Sequence, residues 1–198
     1  MTCLMKILEK YIERRFMIEL IKERIKLGAG CTQGEYLAAV EALESIRPLN
    51  LLVFSCGMDS VIWEKLADNV LFVEDIPSWA ARISKEIKSK ITLVKYTSRA
   101  ADSLNYTSKD QSVDVSCLDC LKEFTPNAIF IDGPIGYGNG PGRTIPIKWA
   151  SQQQNIKKIL VHDFLRQAEN VYSTALFKDD YDLTNQVEKL GVFTRKEE

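Results

Sequence analysis

Residues 51–60 read LLVFSCGMDS, and this stretch decides the fold. Its apolar run, Leu51 to Phe54, leads into the small residues Ser55-Cys56-Gly57, and a second apolar segment begins at Val61. A short apolar run that ends in small residues before a helical pattern predicts a buried strand, a tight turn and a helix. Open α/β sheets bind their ligands at such a turn, because it lies at the carboxyl end of the strand.

Similar apolar runs recur along the chain and predict further strands over 70–73, 91–96, 127–131 and 156–161. Four of the predicted strands end in small or acidic residues: Ser55-Cys56-Gly57, Glu74-Asp75, Asp132 and His162-Asp163. Because right-handed crossovers place parallel strand ends at one edge of a sheet, we expect these groups to line a ligand crevice.

Helices are predicted between the strands. Residues 3–27 form an amphipathic pattern, and Thr32 with Glu35 is a capping box that opens a helix reaching about Ser45. Further helices are expected over 59–67, 77–87, 145–154 and 164–171, and two short strands over 181–187 and 191–195. Residues 97–116 are polar and predict a loop, or a helix with poor signals. We expect one domain over residues 1–198, with a helical extension over 1–30 and an α/β core over 31–198.

Composition excludes several classes of protein. The 198 residues include 26 Lys and Arg against 27 Asp and Glu, which disfavours binding to nucleic acid or an anionic membrane. No apolar stretch approaches the roughly 20 residues of a membrane span, and the first residues are too charged for a signal peptide. The five cysteines are expected to be reduced thiols without a catalytic role, as in a cytoplasmic protein.

An acidic residue at the end of the second strand favours a cofactor that contains ribose. Glu74 follows the apolar run directly and is placed to accept hydrogen bonds from a ribose diol. The first turn lacks a complete G-x-G-x-x-G pattern, which disfavours a pyrophosphate. S-adenosylmethionine has ribose and base but no phosphate, and it fits this site better.

Asp132 and Asp163 end two strands and could together hold a divalent cation. The alternative is that one carboxylate caps a helix while the other accepts hydrogen bonds from loop amides. His162, the single histidine of the chain, is a candidate general base, although a lone histidine is more often structural.

The segment IDGPIGYGNGPGR, residues 131–143, is too rich in glycine and proline for regular structure and predicts a shaped loop. A long loop at the carboxyl end of a strand is usually functional. Tyr137 and Arg143 could hold an oxygen-rich or carboxylate-bearing substrate there, or Arg143 could be a solvated loop residue.

Four segments together resemble one family. LLVFSCGMDSVIW, LFVEDIPSW, IDGPIGYGNGPGR and VHDFLR, in this order, are similar to the plant glucuronoxylan 4-O-methyltransferases and related polysaccharide-biosynthesis domains. The resemblance spans roughly residues 32–195. It implies a class I, Rossmann-like fold and an S-adenosylmethionine-dependent methyltransferase that acts on a sugar hydroxyl of a glycan.

The resemblance also implies roles for individual residues. The cofactor would be bound by Ser55, Gly57, Asp59, Ser60, Glu74 and Asp132. Catalysis would depend on His162, Asp132 and Asp163, with Mn²⁺, Mg²⁺ or Co²⁺ on Asp132 and Asp163 as the alternative to a histidine base. Tyr137, Arg143 and Arg166 would contact the acceptor.

Two departures from the family leave other functions open. The family usually has glycine where Ser55 stands, in the turn that would hold the cofactor. It usually has a basic residue where Ile135 stands, so a neutral or deoxy sugar is preferred over a uronic acid. The same departures favour a non-catalytic methyltransferase-fold interaction domain, which would dock through its N-terminal helix. That helix could also join the chain to other domains of a glycan-synthesis protein or form a homo-oligomer. A small-molecule O-methyltransferase is the third possibility.

Overall fold

The computed structural model describes residues 3–105 and 113–197. Its strands are β1 Asn50–Phe54, β2 Asn69–Glu74, β3 Lys90–Leu93, β4 Ala128–Ile131, β5 Lys158–Val161, β6 Tyr181–Val187 and β7 Leu190–Arg195. They form one sheet in the order β3-β2-β1-β4-β5-β7-β6. β1 to β5 pair in parallel, and β7 runs antiparallel to both β5 and β6.

Helices cover both faces of this sheet. They are α1 Cys3–Lys26, α2 Gln33–Glu44, α3 Ser60–Leu66, α4 Pro77–Ile83, α5 Thr144–Ser151 and α6 Gln167–Phe177. Alternate residues of β1 face opposite sides: Leu51 and Val53 pack with α1, α2 and α3, while Leu52 and Phe54 share a cluster with α5 and α6. The Rossmann-like α/β fold predicted from the sequence, a mostly parallel sheet with helices on both faces, is therefore confirmed.

The capping box that opens α2 is confirmed in both halves. Thr32 Oγ1 accepts the Glu35 N–H at 3.2 Å, and the Glu35 carboxylate accepts the Thr32 N–H at 2.8 Å. Two orphan donors of the first turn are thereby satisfied.

Several predicted boundaries were wrong. The last helix begins at Gln167 rather than 164 and continues to Phe177, because Phe164 is buried in the core and its N–H binds the Lys189 carbonyl. β3 ends at Leu93 rather than at residue 96, because its partner strand β2 ends at Glu74, the residue that pairs with Leu93. The helix predicted over 77–87 ends at Ile83 and continues as turns.

The loop predicted over 97–116 is described only at its two ends. One 3₁₀ helix spans Ala100–Asn105 and another begins at Ser116 and reaches Leu121. Residues 106–112 lie outside the described residues.

The long helix α1 packs on the core near its C-terminal end. Leu20 and Ile21 are buried, whereas Leu8, Ile12 and Phe16 are each more than half exposed. None of the described helices is both long and apolar enough to cross a membrane.

Candidate functional site

The register of the sheet places the predicted site residues side by side. Ser55, Glu74, Asp132 and His162 directly follow ladder positions that pair across β1, β2, β4 and β5. Backbone bonds continue this row beyond the strands, since the Asp132 N–H binds the Phe54 carbonyl at 3.1 Å. The polar strand ends therefore form one edge, as the sequence predicted.

A cavity of about 290 Å³ opens at this edge. It is lined by seven of the predicted site residues: Ser55, Glu74, Asp132, Tyr137, Arg143, Asp163 and Arg166. Ile76 and Trp79 also line it, and neither was predicted. A larger cavity of about 650 Å³ lies beside Asn69 and Lys90, at the opposite ends of the strands. We assign the chemistry to the smaller cavity, because ligands of open α/β sheets bind at the carboxyl ends.

The turn after β1 is tightly packed against the turn after β4. Ser55 has a φ of 98°, in a region that favours glycine, and a Cβ on Gly133 would lie 2.6 Å from the Ser55 Cβ. Close approach of these two turns narrows the floor of the cavity.

Three residues predicted to bind the cofactor are absent from the cavity wall. The Gly57 N–H binds Ser60 Oγ at 2.9 Å, which closes the turn that begins α3. Asp59 is buried and accepts the Trp63 Nε1–H at 2.9 Å. Burial, followed by the charge of Asp132, raises the pKa of Asp59 to about 6.

Glu74 lines the cavity and is also held by hydrogen bonds from the chain. Its carboxylate accepts the backbone N–H groups of Cys56, Asp75 and Ile76, each at 3.0 Å. The Cys56 thiol lies 3.5 Å from Oε2 as a fourth and weak donor, and it is the one that a hydroxyl group could replace. Glu74 is thus held in place for a hydroxyl donor such as a ribose.

Arg143 was predicted to contact the substrate, but its guanidinium mainly joins three parts of the site. It is 5% exposed and donates to the carbonyls of Pro134 and His162 and, at 2.9 Å, to Asp163 Oδ2. Its Nη2 also lies 3.4 Å from Asp132 Oδ1. Arg143 therefore places a positive charge between the two carboxylates that the sequence assigned to a cation, and that assignment stays a prediction.

The mouth of the cavity carries an aromatic side chain and a second guanidinium. Tyr137 is 67% exposed, and the Arg166 guanidinium carbon lies 5.3 Å from its ring centroid. Arg166 also pairs with Asp163 at 2.9 Å. Gly136 lies directly against the ends of the Arg166 and Glu169 side chains, which would have to move to admit a Cβ there. The loop is therefore shaped around this arginine.

His162 lies behind Asp132 and is not part of the cavity wall. It is 6% exposed, and its Nδ1 is 2.7 Å from Asp132 Oδ1. On the other side of the ring, Nε2 lies 3.5 Å from Glu35 Oε2. Burial alone would lower the pKa of His162, but the hydrogen bond to Asp132 and the nearby carboxylates raise it overall.

Two residues of this buried layer were missed by the sequence analysis. Glu35 was recognised as a capping residue, but its contacts with His162 and with the Lys189 N–H, at 2.8 Å, carry no sequence signal. Cys31 precedes the cap of α2 and lies close to Asp132 and His162. Burial and three neighbouring carboxylates raise the pKa of the Cys31 thiol.

Comparison with known proteins confirms the resemblance drawn from the sequence. Glucuronoxylan 4-O-methyltransferase 3 of Arabidopsis thaliana is 27% identical over 188 residues, which cover 82% of this chain and 63% of the relative. Arabinogalactan O-methyltransferase 2 of the same plant is 23% identical over 189 residues, covering 80% of this chain and 65% of the relative. The chain thus spans less than two thirds of the length of these relatives. No family model matches it.

Solved structures with similar folds include methyltransferases. A methyltransferase-like protein from Silicibacter pomeroyi has a TM-score of 0.48 and 14% identity, over 80% of this chain and 85% of that one. A putative methyltransferase from Streptococcus mutans, solved with SAH, has a TM-score of 0.47 and 11% identity, over 82% and 98% of the respective chains.

Proposed function

We propose that this chain is an S-adenosylmethionine-dependent O-methyltransferase that methylates a sugar hydroxyl of a glycan. The observation that carries this proposal is the cavity at the carboxyl ends of β1, β2 and β4, where backbone N–H groups fix Glu74 and a ribose hydroxyl would replace its weak thiol donor. The similarity to plant glycan O-methyltransferases supports the class of acceptor.

The cofactor supplies an activated methyl group, so the chain must align the hydroxyl and receive its proton. Among the described residues, the hydrogen bonds of the Asp132 side chain involve Oδ1, and Oδ2 is left for the acceptor. As the bond between the hydroxyl oxygen and the methyl carbon forms and the sulfur–carbon bond breaks, the hydroxyl proton passes to Asp132. His162 holds Asp132 from behind and acts as a positioning residue.

The mouth of the cavity suits a sugar ring. Tyr137 offers an exposed aromatic face, and Ile135 beside it is 43% exposed and apolar. Arg166 can donate to ring hydroxyls from the same side. This combination favours a neutral or deoxy sugar, and the aromatic face is where we expect the ring to pack.

The test is transfer of a labelled methyl group to a panel of glycans, with phenols and amines as small-molecule acceptors. Asp132→Asn should lower turnover by about 100-fold or more, because a positioned proton acceptor contributes this much. Asp182→Asn, whose side chain is 67% exposed on β6, is the matched control and should retain activity. Near-normal turnover of Asp132→Asn, with folding verified by circular dichroism, would remove Asp132 from the mechanism.

A non-catalytic methyltransferase-fold domain is the second candidate. The exposed apolar residues Leu8, Ile12 and Phe16 of α1 favour it, because such a face is suited to docking. Absence of transfer from the wild-type chain to every acceptor of the panel would support this function over methylation.

A further inference from the structure

Three potential metal ligands of different chemistry meet behind the cavity. Cys31, Asp132 and His162 each offer one ligand atom, and the three atoms lie within 4.8 Å of one another. Cys31 precedes the cap of α2, whereas the other two follow β4 and β5. Three separate parts of the chain therefore converge at the back of the cavity, where Cys31 is 4% and His162 is 6% exposed and the Asp132 side chain is 20% exposed.

We propose that Cys31, Asp132 and His162 form a binding site for Zn²⁺, or for Co²⁺ as its close substitute. A thiolate, an imidazole and a carboxylate suit these borderline cations, whereas Mg²⁺ and Ca²⁺ prefer sites made of oxygen ligands. In a tetrahedral zinc site the ligand atoms lie about 3.3–3.8 Å apart, which this cluster reaches with small side-chain movements. Three protein ligands leave a fourth position for water.

The surroundings of His162 provide the outer partner that a metal-bound histidine requires. With Nδ1 on the cation, the Nε2–H points to Glu35 Oε2, which is 3.5 Å away. In the structure Nε2 is a buried atom without a hydrogen-bond partner among the described residues. Glu35 is itself fixed by the N–H groups of Thr32 and Lys189, each at 2.8 Å. A carboxylate in this position orients a ligating imidazole and increases its basicity.

Asp163 belongs to a different set of contacts. Its Oδ2 lies 2.9 Å from a guanidinium nitrogen of both Arg143 and Arg166. Two positive charges on one carboxylate disfavour a cation there. The cation site therefore includes Asp132 from the pair predicted by sequence, but it takes Cys31 and His162 in place of Asp163.

The test is a titration of the metal-free, reduced full chain with Co²⁺, followed by absorption spectroscopy. We expect one Co²⁺ per chain and a thiolate-to-cobalt charge-transfer band that Zn²⁺ abolishes. Cys31→Ser should lose this band. Cys56→Ser, a matched buried cysteine whose Sγ contacts Glu74, should retain it. Glu35→Gln should keep the band but bind Co²⁺ about 10-fold more weakly, as expected for the loss of an outer partner.

Absence of the band in the wild-type chain, or its survival in Cys31→Ser, would overturn the proposal. Survival in that variant would assign the thiolate to another cysteine, such as those of the Cys117–Cys120 pair. If Cys31→Ser does not fold, the unchanged affinity of a folded Glu35→Gln would be sufficient to contradict the site. The titration contains neither cofactor nor glycan, so its outcome is independent of the proposed methyl transfer.

Discussion

Ser55 holds a backbone conformation that its own side chain opposes. Its φ of 98° lies where residues with a Cβ are strained, at a cost of about 1–3 kcal/mol. Glycine relieves this strain, but it loses more backbone entropy on folding than serine does, at a free-energy cost of about 0.4–1 kcal/mol. We predict that Ser55→Gly raises the free energy of unfolding by about 1 kcal/mol, as measured by urea denaturation.

Ser55→Ala is the control for this prediction. It removes the hydroxyl but retains the Cβ, so its stability should not rise. An equal gain in Ser55→Ala and Ser55→Gly would show that strain at this position is not the cause.

Asp75, which lies beside the carboxylate of Glu74, provides a pH dependence of stability. Burial, and then the charge of Glu74, raise the pKa of Asp75 to about 6. Between about pH 4 and pH 6 the folded chain keeps a proton here that the unfolded chain has lost, so this residue makes stability fall as pH rises. As the pH rises from 4 to 7, the free energy of unfolding of Asp75→Asn should therefore increase by about 1 kcal/mol relative to that of the wild type. This figure is reduced from the full pKa shift because the group is partly exposed.

The measurement is the free energy of unfolding of both proteins across this pH range. Parallel profiles for the wild type and Asp75→Asn would mean that the carboxyl group of Asp75 titrates alike in the folded and unfolded chains.

At the scale of secondary-structure elements, the start of α2 connects the helix to the buried layer of the site. Thr32 contributes one capping bond, but Glu35 satisfies the N–H groups of both Thr32 and Lys189. Thr32→Ala should cost about 1 kcal/mol, the usual loss of a cap. Glu35→Ala leaves two donors unpaired at a position that is 1% exposed, and should cost about 2–4 kcal/mol.

Chemical denaturation of the two variants tests this order. If Thr32→Ala and Glu35→Ala lose the same free energy of unfolding, the contact between α2 and the β6–β7 turn adds no stability beyond that of the capping bond.

Strands and caps could be predicted from sequence because their causes are local. Apolar runs and the Thr32–Glu35 pair report burial and capping directly. The start of α6 could not be predicted in this way. Phe164 continues the apolar pattern of the helix, but its contact with Lys189, which is distant in sequence, keeps it outside the helix. The direction of the His162 side chain also has no local cause. Sequence places it at a strand end, but packing against Glu35 turns it away from the cavity.

At the scale of the whole molecule, the sheet brings residues from every part of the chain to one edge. The parallel register aligns the ends of β1, β2, β4 and β5, and the glycine-rich loop over 133–142 covers them. Because the strand ends converge, several of the residues that line the cavity could be predicted from the sequence. The convergence of Cys31 was not predictable, because it depends on how the segment before α2 packs over the sheet.

The central claim is that the cavity binds the cofactor, and calorimetric titration with S-adenosylhomocysteine tests it most directly. We predict one molecule bound per wild-type chain with micromolar affinity. Ile76→Arg should abolish the binding heat, because a long cationic side chain would fill the cavity that Ile76 lines. Leu183→Arg, a similarly exposed apolar position on β6, should bind as the wild type does. No binding to the wild-type chain, or equal binding to Ile76→Arg, would contradict the account.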